Sequence, residues 1–158
     1  MVIFMKLKEI REDHDDTQQQ IADILEVKRG TYASWECGSD IIPLKKLFQF
    51  ANHYNTSIDY ILNLSNDNIK VVCNNTLDIS NISRNLREIR YDRKMSQYKL
   101  AESIGINQST WWAYENEKTL ITTLNLMTLC KKYNYSIDWV LNRKVNYFNE
   151  KADEKSSA

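Results

Sequence analysis

Slid against itself by 79 positions, the 158-residue chain matches without a gap. Leu7-Lys8-Glu9-Ile10-Arg11 falls on Leu86-Arg87-Glu88-Ile89-Arg90, Thr17-Gln18 on Ser96-Gln97, and Ile21-Ala22 on Leu100-Ala101. Thr31 meets Thr110, Trp35 meets Tyr114, and Glu36 meets Glu115. The run from Tyr54 to Asn63 meets the run from Tyr133 to Asn142, with Ser-Ile-Asp in both. Roughly a third of the aligned positions are identical, which marks the duplication of one unit. Any fold for this chain must therefore be one that is built twice.

The unit is helical. Three glycines and one proline are too few for a turn-rich β fold, and an apolar content of 42% is enough for a packed core. Five short helices are expected in each copy. The first runs from about Phe4 to Asp13 and from about Ile82 to Arg93, with Leu7, Ile10, Leu86 and Ile89 at helical spacing. The second and third are clearest between Ser96 and Glu115. Ser96 can cap the opening turn, and Leu100, Ala101 and Ile104 form an apolar stripe. Gly105 then stands where a left-handed turn needs no Cβ, and Asn107 is placed to cap the next helix. On that helix Gln108, Ser109, Trp112 and Ala113 share one side, while Thr110, Trp111 and Tyr114 fall mostly on the other. The fourth helix begins near Pro43 or Thr122 and ends near Tyr54 or Tyr133. The fifth is a turn or two opened by Ser57 or Ser136, with Asp59 or Asp138 near the positive end of its dipole.

A helix with a small polar outer side, held across a tight turn by another helix, is what major-groove reading requires. Charge bears on this reading. The net charge is zero, but residues 1–64 carry 7 basic and 10 acidic side chains, whereas residues 80–145 carry 11 and 6. The second copy is the basic one.

Both units resemble the Cro/C1-type (XRE) helix-turn-helix domain of phage repressors and bacterial regulators. The resemblance rests on L-R-E-I-R, S-Q-x-x-L-A, G-I-N-Q-S-T-x-x-x-Y-E and S-I-D-W-V-L-N, in that order. It implies an all-α chain of two tandem five-helix, lambda-repressor-like domains. The first would occupy 1–64 and the second 81–145, with a linker over 65–80 and a mobile tail over 146–158. It also implies roles for matching positions. Gln108, Ser109, Trp112 and Ala113 match base-facing positions, and a glutamine there can pair bidentately with adenine. Gln97 matches a residue that touches phosphate and supports the reading helix, as Gln18 does in the first copy. Arg90 with Glu115, and Arg11 with Glu36, match a buried ion pair tying the first helix to the third. Arg93, Lys94, Lys99 and Lys118 would add phosphate contacts.

The first copy departs from the pattern. Asp15 and Asp16 stand in the region where the second copy has Arg93, Lys94 and Met95, and they would repel phosphate. Glu26 replaces Gly105, and Gly30 removes a base-facing side chain. Lys28 and Arg29 sit at the start of its reading helix, and Arg29 could reach guanine. Reading DNA is one role for this copy; dimerisation or partner binding is the other.

The resulting expectation is a cytoplasmic, sequence-specific binder of double-stranded DNA that represses transcription, without enzyme activity, cofactor or metal. Its partners would be duplex DNA and either a second copy in a homodimer or its own other half in an intramolecular pseudo-dimer. A linker of some sixteen residues spans about 50 Å extended, against about 34 Å between half-sites one turn apart. The rival function is a protein-binding helix-turn-helix module, such as a repressor antagonist or an antitoxin-like or phage-defence partner. Trp112 fits DNA contact, a subunit interface or domain packing. Trp35, Trp111 and Tyr114 read as core. Asp13-His14-Asp15-Asp16 reads as a solvated loop rather than a metal cluster, and Cys37, Cys73 and Cys130, without ligand spacing, as reduced thiols. No apolar run approaches a membrane span, and the opening apolar stretch is too short for a secretory signal.

Overall fold

The computed structural model describes residues 5–73 and 75–144. Among them no strand forms, and ten helices follow one another: α1 Leu7–Asp13, α2 Gln18–Ile24, α3 Arg29–Glu36, α4 Leu44–His53 and α5 Ile58–Ile61, then α6 Ile79–Asp92, α7 Gln97–Ser103, α8 Gln108–Glu115, α9 Thr123–Tyr133 and α10 Ile137–Val140. Phe4, the expected start of the first helix, and the tail from 146 lie outside the described residues.

Local chemistry sets the boundaries. Ser96 accepts from Lys99 N–H at 3.2 Å, and Ser57, Ser136 and Thr122 cap α5, α10 and α9 in the same way. Thr17 and Gln20 close a reciprocal capping box on α2. Asn107 does not cap as expected. Its side chain makes no cap hydrogen bond, and its carbonyl instead accepts from the Thr110 and Trp111 amides. α6 begins three residues before the expected Ile82, because Asp78 accepts from Ser80 N–H at 2.9 Å and starts the helix inside the segment expected to be linker. Each connection repeats one left-handed residue at the same place in both units. Asp15 pairs with Lys94, Glu26 with Gly105, Gly38 with Glu117, Asn55 with Asn134, and Asn63 with Asn142. At the turn between the second and third helices φ is 55° for Glu26 and 75° for Gly105, so the first unit adopts the glycine conformation without a glycine.

The core is aliphatic and aromatic. Leu7, Ile21, Tyr32, Leu47, Phe50 and Ile58 are fully buried in the first unit, and Leu86, Leu100, Trp111, Leu129 and Ile137 in the second. Trp35 and Tyr114 are also buried. The apolar segment from Ile69 to Cys73 packs rather than forming a strand: Val71 is fully buried, its N–H donates to Asn55 O at 2.9 Å, and Thr56 with Lys70 makes a single antiparallel bridge.

The two units dock through α5 and α10. Asp138 of the second unit accepts from Ser57 Oγ at 2.7 Å and from the Ile58 and Asp59 amides at 3.1 and 3.3 Å. Asp59 of the first unit accepts from Ser136 Oγ at 2.6 Å and from the Ile137 and Asp138 amides at 2.8 and 3.4 Å. Each aspartate thus caps the other unit's helix, whereas its position in the sequence suggested a role at its own helix dipole. The exchange of identical contacts is the mark of a two-fold arrangement, here within one chain. Arg143 adds to it: fully buried, it pairs with Asp138 and donates to Thr56 O at 3.0 Å and Asn52 Oδ1 at 3.1 Å. Thr123 Oγ1 donates across to Ile42 O at 2.7 Å.

Candidate nucleic-acid interface

The third helix of each unit is fixed from behind by one carboxylate. In the second unit Glu115, 2% exposed, accepts from Arg90 Nε at 2.6 Å and Nη2 at 3.1 Å, from Gln97 Nε2 at 2.8 Å, and from Trp111 Nε1 at 2.6 Å. The group therefore joins α6, α7 and α8. Burial raises its pKa, but the bonds from Arg90, Gln97 and Trp111 outweigh this and hold it below the usual glutamate range. Ser83 Oγ adds a buried bond to Tyr114 O at 2.6 Å. In the first unit Glu36 accepts from Arg11 at 2.6 and 3.1 Å and from Gln18 at 2.9 Å. It too is held low, burial opposing and the Arg11 and Gln18 bonds prevailing.

With its inner side locked, α8 presents the other side outward. Gln108, Ser109 and Trp112 are exposed and Ala113 is half-buried at the edge of the same side. Trp112 keeps 46% of its surface in solvent, an unusual place for a large apolar group. Lys94, Lys99 and Lys118 are exposed around the motif. Arg93 is exposed too, but its guanidinium stacks 4.8 Å from the Tyr133 ring centre and donates to Tyr133 O at 3.2 Å, so it is already oriented. Gln97 has one amide hydrogen committed to Glu115, leaving the other for a phosphate.

The first unit offers less. Lys28 and Arg29 are exposed, as is Gly30 between them and the rest of α3. Arg29 Nη1 leans back onto Gln18 Oε1 at 3.3 Å, which couples the candidate base reader to the candidate phosphate contact. Asp15 is exposed, whereas Asp16 is half-buried and accepts from Tyr54 OH at 2.7 Å.

Tyr98 joins the site although the motif spacing does not single it out. It is 58% exposed at the start of α7 and lines a shallow groove with Gln108 and Ser109. Its position directly after Gln97, on the polar side of an amphipathic pattern, is the one signal of it in the sequence.

These features define two tandem helix-turn-helix domains. A family model described as a helix-turn-helix domain matches residues 83–145, and a second, described as helix-turn-helix, matches residues 7–61. The chain belongs to the Cro/C1-type (XRE) helix-turn-helix family, in two tandem copies. It is similar to an uncharacterized HTH-type transcriptional regulator, YobD, of Bacillus subtilis, at 36% identity over 62 residues. That match takes in 39% of this chain and 55% of the relative, so the chain spans about half the length of the curated protein it matches. No solved structure matches. Among the described residues no helix is long and apolar enough to cross a membrane.

Proposed function

We propose that the chain is a cytoplasmic, non-enzymatic regulator that binds double-stranded DNA at a specific sequence and represses transcription. The observation that carries this reading is the outer face of α8: Gln108, Ser109 and Trp112 stand in solvent on a helix whose back is held by a buried four-bond carboxylate. Such preorganisation is what direct base readout requires. In this reading Gln108 pairs with a base edge, Ser109 and Ala113 set the fit, and Trp112 packs on a thymine methyl. Gln97, Arg93, Lys94, Lys99 and Lys118 hold phosphates and fix the register. The reciprocal α5–α10 junction supports a pseudo-dimer in which one chain offers α3 and α8 to one duplex, with Lys28, Arg29 and Gln18 as the first unit's contacts. Replacing Gln108 by alanine should weaken a cognate site by about 1–3 kcal/mol and relax one base position. Unchanged preference at every position in a binding assay on single-base variants would refute direct readout by this residue.

A protein-binding role is favoured by one feature, the first unit's reading helix, where Arg29 is engaged by Gln18 and Gly30 leaves a gap. In that reading α3 contributes nothing to DNA affinity, and Arg29→Ala leaves it unchanged.

A further inference from the structure

The two-fold exchange between the units is broken beside the paired aspartates. Asp138 carries a cation: Arg143, which also donates to Thr56 O and to Asn52. Shifted by 79 positions, this site becomes Asp59, Leu64, Tyr135 and Lys131. All four line one open cavity of about 400 Å³ at the junction, with Ser57 and Ser136 beside them. The carboxylate is in place and the guanidinium is replaced by leucine. Oδ1 of Asp138 accepts from Ile58 N–H and from Arg143, whereas the matching Oδ1 of Asp59 accepts from Ile137 N–H. Among the described residues no basic side chain pairs with Asp59. Burial, with the neighbouring charge of Asp138, pushes its carboxyl up to about 6, against the lowering effect of the bonds from Ser136 Oγ and Ile137 N–H.

We propose that this cavity binds a small molecule bearing a guanidinium or ammonium group, which sits beside Asp59 as Arg143 sits beside Asp138. Lys131, at the position matching Asn52, lines the same cavity; unlike Asn52 it cannot accept from a guanidinium, and its positive charge calls for an anionic partner. The ligand therefore carries an anionic group for Lys131 as well as a cation for Asp59, as a basic amino acid does. The inference rests on the junction alone and is independent of DNA reading.

The test is calorimetric titration of the full chain at pH 7.5 with arginine, and with agmatine, which lacks the carboxylate. Saturable binding of arginine is expected, at least tenfold tighter than that of agmatine. Asp59→Asn should weaken it at least tenfold. Leu64→Arg supplies the missing cation from the chain itself, so it should abolish binding and raise the thermal midpoint of the free protein. Circular dichroism confirms that each variant is folded. No saturable binding of either compound to the wild type would overturn the proposal, and so would arginine binding that Leu64→Arg leaves unchanged. Equal affinity for both compounds would overturn the role of Lys131.

Discussion

Replacing Asp138 by alanine tests the junction between the units. The side chain is fully buried, caps α5 through three hydrogen bonds, and neutralises Arg143, itself 3% exposed. Alanine removes a helix cap, worth about 1 kcal/mol. It also leaves a buried guanidinium without its anion, which costs on the order of 3–5 kcal/mol. Asn52 and the Thr56 carbonyl still accept from Arg143, so the lower end of that range is expected. With a urea dependence of about 1–3 kcal/mol per M, the combined loss of about 4 kcal/mol should lower the midpoint by about 1–4 M. The loss falls on the contact between units, so cooperativity should fall with it. Trp111, Trp112 and Trp139 belong to the second unit and Trp35 to the first, so tryptophan fluorescence weights the second unit and far-ultraviolet circular dichroism reports both. The wild type should give coincident transitions by the two probes and the variant separated ones. A midpoint change under about 0.5 M with transitions still coincident would refute the assignment of Asp138 to the coupling of the units.

Three further outcomes follow from the geometry. Glu26→Gly should stabilise the chain by about 1 kcal/mol in urea unfolding, since it relieves a left-handed glutamate at φ 55°; a destabilisation would show that the side chain contributes more than the strain. Arg90→Ala should cost about 3–5 kcal/mol at pH 7 by stranding Glu115. Glu115 is held below its ordinary value of 4.5, so the stability from the pair is present above that pH and lost as pH falls; the gap between wild type and variant should close below about pH 4.5, and a gap constant down to pH 3 would exclude the pair as its source. Lys94→Gln, Lys99→Gln and Lys118→Gln should each reduce the slope of log affinity for duplex DNA against log salt by about 1, with little change in sequence preference; an unchanged slope would remove that residue from the phosphate contacts.

Elements whose cause is local are legible in the sequence. The duplication, the helix order, the Ser96 cap and the left-handed turn at Gly105 depend on residues a few positions apart or on the repeat itself. The spacing of Arg90 and Glu115 is likewise repeated by Arg11 and Glu36, and both pairs lie in contact. Asp59 and Asp138 are harder to read, because each has a sufficient short-range explanation at its own helix start. Their partners lie 77 to 81 positions away and meet them only where the units dock. The identity of Ser-Ile-Asp in both copies, beside the change from Leu64 to Arg143, is the trace this junction leaves in the sequence. Asn107 misleads because a residue type that favours caps occupies the cap position without using its side chain. The turn of Arg29 back to Gln18 has no sequence signature, because two exposed polar side chains eleven positions apart have many other arrangements open to them.

Selection of the purified chain against random duplex DNA, at low and at moderate salt, tests the DNA-binding reading most directly. A sequence motif should be recovered in which at least one position loses its preference in the Gln108→Ala variant. Absence of binding at low salt, or binding without any motif that disappears steeply as salt rises, would contradict it.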